Sequence, residues 1–264
     1  YDLQGLSRSG IFTWATRAPH RVGPSNAREL AWLSYTRRID VSAAAHTVDQ
    51  MLAILAGDGV PPVADLQLHV SENDRAWAAD QLDRQGLTPD RYVVIAPTTK
   101  WLSKRWPADR FAKAIKRMGD VGLQGVAVVG SPGEEDQAAP LLDALSFGRE
   151  EHVTPVWDLV GATTVGQMMA VIERAGLVMS NDSAALHIAI GLGRRCLGVF
   201  GPTDPTKVGP YRYDIGVVQA PAAVNVRYRA SRLNQALISR VNVDQVVIAA
   251  KRVLDAPPPR PAAE

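Results

Sequence analysis

From residue 89 onward, short apolar runs alternate with amphipathic stretches of about 12 residues. The runs at 92–96, 125–129, 156–160, 177–179, 196–200 and 215–219 read as buried strands. Between them, 107–118, 134–145, 163–175 and 184–192 carry helical spacing, and 243–254 forms a last helix behind the cap residue Asn242. Pro107 suits a first helical turn, acids at 134–136 suit another, and a threonine opens the third. Strand and helix in this alternation predict a doubly wound parallel sheet, an α/β fold.

The first part of the chain is less regular. Leu6, Ile11, Trp14 and Ala15 give 5–18 helical spacing, and 20–23 reads as a short strand or turn. Residues 25–35 read as a loop leading into a short helix. Val48, Met51, Leu52 and Leu55 predict a helix over 46–55, which Gly57-Asp-Gly-Val-Pro-Pro stops. A further amphipathic helix is expected at 73–85. The expected division is therefore 1–88 and 89–264, with a Pro/Ala-rich tail at 255–264 expected to be disordered. Tyr1-Asp-Leu-Gln-Gly reads as the end of a strand with neither strand nor initiator methionine before it, so an N-terminal portion is expected to be missing.

Composition narrows the class only a little. Hydrophobic residues make up 46% and charged residues 21% of the 264, as in ordinary globular proteins. A net charge of +2 gives no sign of a nucleic-acid partner. The single cysteine, Cys196, excludes an internal disulfide and fits a reducing, cytosolic compartment. No apolar run approaches the ~20 residues of a transmembrane helix.

Candidate chemistry gathers where open α/β sheets bind ligands, beyond the carboxyl ends of the strands. Asn181, Asp182 and Ser183 end one strand and supply cap chemistry for the next helix. That helix N-terminus carries free N–H groups and about half a positive charge, which suits a phosphate. Gly201-Pro-Thr-Asp-Pro adds a rigid loop at the same edge. Thr98 and Thr99 offer hydroxyls, and Lys104 offers a mobile charge for a diphosphate. Glu134 or Glu135 can accept from ribose hydroxyls, and Asp182 can hold sugar hydroxyls. Plainer readings compete: Asp182 as the helix cap, Lys104 as surface charge, His187 as a core histidine, Glu134 as a partner for the helix dipole. Arg28, Arg37 and Arg38 read as a solvated surface or an anion site, with Arg28 the first choice if an anion binds. The five histidines and one cysteine show no metal-ligand spacing. There is no GxGxxG fingerprint, Walker lysine or nucleophile elbow.

With these residues placed, the chain resembles glycosyltransferase family 9, the ADP-heptose:lipopolysaccharide heptosyltransferases, and most of all their heptosyltransferase I branch. The likeness runs through Asp2-Leu-Gln-Gly-Leu with Arg8-Ser9, Ala27-Arg-Glu, His46-Thr-Val-Asp, Pro97-Thr-Thr with Lys104-Arg-Trp-Pro, Ser180-Asn-Asp-Ser through His187, and Phe200-Gly-Pro-Thr-Asp-Pro. It implies a GT-B fold of two Rossmann-like domains, the first only partly present here. It further implies inverting, metal-independent transfer of a heptose from ADP-heptose to a lipopolysaccharide inner-core acceptor, with an ADP-sugar as donor substrate and no cofactor. Thr98, Thr99 and Lys104 would then meet the donor phosphates, Glu134 the ribose and Asp182 the sugar. Ser183 and His187 would lie beside the diphosphate, with Thr163 and Ala184 on the donor side and Arg28 toward the acceptor. Ala184 stands where the family usually has glycine, and its Cβ narrows the approach of a phosphate to the backbone. The catalytic base is expected upstream of Tyr1. The partners implied are the nucleotide-sugar donor and a lipid-linked saccharide at the inner membrane surface, which would put the protein in the cytoplasm or peripheral to that membrane. A nucleotide-sugar binding module without transferase activity and a GT-B UDP-sugar epimerase are the alternatives.

Overall fold

The computed structural model describes residues 1–119, 121–146, 155–221 and 236–261. They fall into two compact units, one built mainly from Tyr1–Asp65 and one from Leu66–Pro205 with the chain from Gly209 to residue 261.

The smaller unit contains α1 (Ser7–Ala15), a parallel pair β1 (Val22–Pro24) and β2 (Arg37–Ile39), and α2 (Thr47–Gly57). Val22, Ile39, Val41 and Ile54 form its core. Polar ties supplement so small a core. Asp58, after α2, accepts from the Tyr1 hydroxyl at 2.6 Å, meets His20 Nε2 at 2.8 Å and pairs with Arg37 at 3.2 Å. Helix α1 forms within the 5–18 stretch of helical spacing, but its apolar positions are not what it buries. It packs through Gly10, where a Cβ would lie 3.0 Å from the Ala31 backbone, and leaves Ile11, Phe12 and Trp14 exposed. The missing side chain at Gly10 is what lets the two segments approach.

The larger unit opens with α3 (Glu72–Arg84) and continues as β3 (Tyr92–Ala96), α4 (Ala108–Met118), β4 (Gly125–Gly130), α5 (Glu135–Ser146) and β5 (Val156–Val160). Then come α6 (Val165–Glu173), β6 (Leu177–Asn181), α7 (Ala184–Gly191), β7 (Cys196–Phe200), β8 (Val217–Gln219) and α8 (Val243–Asp255). The six strands form one parallel sheet in the order β5-β4-β3-β6-β7-β8, the α/β architecture that the alternation predicts. Every residue of β3, β6 and β7 is buried. Apart from Ser180 and Asn181 at the end of β6, these strands are continuous apolar runs, as a sheet covered on both faces requires. Right-handed crossovers running outward from β3 to β5 and then back to β6 place α4 and α5 on one face and α6 and α7 on the other. Packing agrees, with α4 beside α5 and α8, and α6 beside α3 and α7.

Among the departures from the sequence expectation, three bear on the architecture. The division falls after Asp65 rather than at 88/89, because α3 buries Ala78 and Leu82 in the larger core. Strand β6 runs on to Asn181, since Ser180 and Asn181 pair with Gly198 and Val199 of β7. The tail at 256–261 is tied down: Ala256 O accepts from Arg195 Nε at 2.9 Å, and Pro261 O from the Leu66 N–H at 2.8 Å. Residues 262–264 of the expected disordered segment lie outside the described residues.

Candidate functional site

Strand order reverses between β3 and β6, and a crevice opens beyond the carboxyl ends of the strands at such a point. A pocket of about 390 Å³ lies there. Its polar wall is Thr98 and Thr99 after β3, Ser131 and Glu134 after β4, Thr163 and Thr164 before α6, and Ser183 before α7. Ala96, Val129, Val165 and Met168 supply its apolar part. Polar groups from four separate loops thus meet on one cavity.

Several of these groups are held by identifiable bonds. Pro97 O accepts from Asn181 Nδ2 at 2.6 Å, the Thr99 N–H donates to Gln137 Oε1 at 3.3 Å, and Thr99 O accepts from Arg105 Nη2 at 3.0 Å. The threonine turn is fixed from three sides. Gly130 lets Thr98 in, since a Cβ there would stand 3.2 Å from Thr98 Oγ1. The structure also separates Glu134 from Glu135. Glu135 Oε1 accepts from the Gly133 N–H at 3.1 Å. Its carboxyl is held below the usual range by its own backbone N–H first and then by that of Gly133. Glu134 lines the pocket, with Oε2 accepting from the Ser131 N–H at 2.9 Å.

At the start of α7 the cap residue is Ser183, and it makes no side-chain cap bond. Its Oγ instead lies 2.8 Å from Ser180 Oγ. The first amides of α7, which have no intrahelical partner, belong to Ala184 and Ala185, and both residues line the pocket. Asp182 does not cap this helix, and Asn181 does not either. Asp182 Oδ2 accepts from Lys104 Nζ at 2.6 Å, in a pair whose side chains are only 17% (Lys104) and 8% (Asp182) exposed. That burial sets Lys104 apart from ordinary surface charge. His187 stands on the exposed side of α7 and outside the pocket lining, so it is not a core histidine.

Arg105 belongs to the Lys104-Arg-Trp-Pro motif but carries no assigned role in the sequence reading. Burial lowers its pKa, with the charge of Glu134 acting in the opposite sense. Its Nε is buried without a hydrogen-bond partner among the described residues. The signal was its position beside Lys104 in the same polar loop.

In the smaller unit, Arg28 lines a pocket of about 300 Å³ together with Gln4, Asn26, Thr47 and Gln50. Asp2 is buried nearby in sequence, but its oxygens are already engaged. Oδ1 accepts from the N–H groups of Gln4 at 2.9 Å and Gly5 at 3.1 Å, and Oδ2 from the Tyr35 hydroxyl at 2.7 Å. Burial alone would raise its pKa, yet these bonds, Tyr35 first, bring it below the ordinary value. A depressed folded pKa means stability present at neutral pH and lost as pH falls through that value. Asp2→Asn is therefore expected to unfold more easily than the parent at pH 7. The difference should shrink as pH drops below about 3.9, the ordinary aspartate value. Parallel urea titrations across pH 2–7 check this, and a gap that stays constant would rule out the carboxylate's role.

The family model described as glycosyltransferase family 9 (heptosyltransferase) matches residues 1–234. The chain belongs to glycosyltransferase family 9. Among family 9 relatives, lipopolysaccharide heptosyltransferase 2 of Escherichia coli K12 is 25% identical over 228 residues, covering 83% of this chain and 64% of the relative. Lipopolysaccharide heptosyltransferase 3 of the same strain is 30% identical over 219 residues, covering 80% and 61%. The chain thus spans less than two-thirds of these relatives' lengths. Heptosyltransferase 1 of that strain matches at 27%, so identity does not single out the heptosyltransferase I branch. Among solved structures, a family 9 protein from Veillonella parvula superimposes with TM-score 0.73 at 23% identity, covering 94% of this chain and 70% of that one. E. coli heptosyltransferase WaaC with ADP gives 0.67 at 24% identity, covering 96% and 71%. These likenesses show the GT-B type of α/β fold.

Proposed function

We propose that the chain binds an ADP-sugar in the pocket of its larger unit and serves transfer of the sugar, a heptose, to a lipid-linked saccharide acceptor. One observation carries the reading: Thr98, Thr99, Glu134, Thr163, Ser183 and the first amides of α7 converge on one cavity at the switch point. The apolar wall takes the adenine, and Glu134 takes the ribose hydroxyls. The threonines and the α7 N-terminus take the phosphates, whose charge the helix end favours. His187, one turn further along α7 and outside the pocket lining, is assigned to the open side of the diphosphate.

Transfer proceeds with inversion. As the acceptor oxygen attacks the anomeric carbon, a carboxylate takes its proton, and the bond to the departing diphosphate breaks. Lys104 and the α7 amides stabilise the charge that develops on the leaving ADP. Asp2 is not that carboxylate, since its oxygens are spent on the 2–5 turn and on Tyr35. No metal ion takes part, and Arg28 meets the acceptor's anionic groups. The acceptor lies at the cytoplasmic face of the inner membrane, to which the protein attaches peripherally. Among the described residues, no helix is long and apolar enough to cross a membrane.

The nucleotide assignment is testable directly. A purine covers roughly 50 Å² more apolar surface than a pyrimidine, worth about 1.3 kcal/mol or close to tenfold in affinity. Calorimetry is expected to show ADP binding about tenfold more tightly than UDP. Equal or reversed affinities would remove the ADP-sugar donor.

A further inference from the structure

Lys104 and Asp182 reach one another from two segments, the 97–106 loop and the turn after β6, and they meet at 2.6 Å with little exposure. Each carries a group that a nucleotide-sugar needs, an ammonium for phosphate oxygens and a carboxylate for sugar hydroxyls. As they stand, they satisfy one another. A phosphate that reaches Lys104 therefore competes with a charge-assisted hydrogen bond already formed in a poorly hydrated place. Ser183, next in sequence to Asp182, lines the nucleotide pocket, so the pair borders the phosphate end of that site.

The geometry points to an exchange of partners that makes the site favour a sugar-bearing nucleotide over the bare diphosphate. The diphosphate draws Lys104 away from Asp182, and the attached sugar then refills the vacated carboxylate with hydroxyl donors. Bare ADP takes the lysine and leaves Asp182 largely buried beside phosphates of the same charge. An unrefilled carboxylate is costly, because a buried charge without its partner loses most of what water would give it. The pair thus sets donor over product, and it speeds release of ADP once the sugar has gone. This inference rests on the donor-site reading and adds a role for the ion pair within it.

The test compares ADP and ADP-heptose binding by calorimetry in the parent chain, Asp182→Asn, Lys104→Gln and the double variant, each checked for folding by thermal melting. A charge-assisted bond that no longer has to be broken is worth about tenfold in affinity. Asp182→Asn is expected to bind ADP about tenfold more tightly and ADP-heptose more weakly, so the preference for the sugar-bearing form collapses. In the Lys104→Gln background the same substitution is expected to bring a clearly smaller gain for ADP, from relief of charge repulsion alone. An equal gain in both backgrounds would mean simple relief of charge repulsion and would overturn the exchange. So would an Asp182→Asn variant that melts normally and binds ADP no better than the parent. A parent chain that binds neither nucleotide overturns the donor-site reading and the exchange together.

Discussion

Lys104→Ala is expected to weaken ADP binding by about 10- to 150-fold, the range for a lost charge-assisted contact of roughly 1.5–3 kcal/mol. Two effects oppose one another. The phosphates lose their cation, while the bond from Lys104 Nζ to Asp182 Oδ2, 2.6 Å long, no longer has to be broken. Loss of the cation dominates, and the offset places the result toward the lower end of that range. AMP should lose less, because its single phosphate lies one position short of the one that the lysine would reach. Titration of both nucleotides into the parent and the variant reads the difference. Losses of the same size for AMP and ADP would place the lysine away from the distal phosphate. Screening by salt should be modest, since the pair is largely buried.

Much of this site was legible because its geometry follows from the fold. Once strands and helices alternate, the loops after β3 and β4 and before α6 and α7 must open at one edge of the sheet, whatever their detailed shape. Thr98, Thr99, Glu134, Thr163, Ser183 and Ala184 all line the same pocket for that reason. What the sequence could not convey was the use made of each polar group. Asp182 and Asn181 both have cap chemistry, and both are drawn instead to partners more than 70 positions away, Lys104 and Trp106. Local pattern favours the nearby backbone amide, whereas packing decides in favour of the distant one. The face that α1 buries was not legible for a related reason. Periodicity marks the apolar positions Ile11 and Trp14, but closest approach is governed by the absent side chain of Gly10. The tail beyond Asp255 is compositionally disordered, yet backbone acceptors at Ala256 and Pro261 find donors on the larger unit.

Asn181→Ala is expected to destabilise the larger unit by about 2–5 kcal/mol, well beyond the ~1 kcal/mol of a lost helix cap. Asn181 is fully buried, and its amide holds both ends of the donor loop. Oδ1 accepts from the Trp106 N–H at 3.0 Å, and Nδ2 donates to Pro97 O at 2.6 Å. Alanine leaves that N–H and that carbonyl without partners in the core, each at a cost of roughly 1–3 kcal/mol. Trp106 is itself fixed by Phe111 in an edge-on contact at 4.8 Å and by Val241 O at 3.0 Å, so it cannot readily turn its backbone toward water. Asn242→Ala provides the comparison, because Asn242 is a true cap whose Oδ1 accepts from the Gln245 N–H at 2.9 Å. Chemical denaturation of the two variants should separate them by at least about 1 kcal/mol, and equal costs would mean that the bonds to Trp106 and Pro97 are worth no more than a cap. The same tie links stability to function. Thr98, Thr99 and Lys104 all lie between Pro97 and Trp106, so loosening either end displaces the groups proposed to hold the diphosphate. Asn181→Ala protein that remains folded at low temperature should therefore bind ADP more weakly than the parent, although Asn181 itself is absent from the pocket lining.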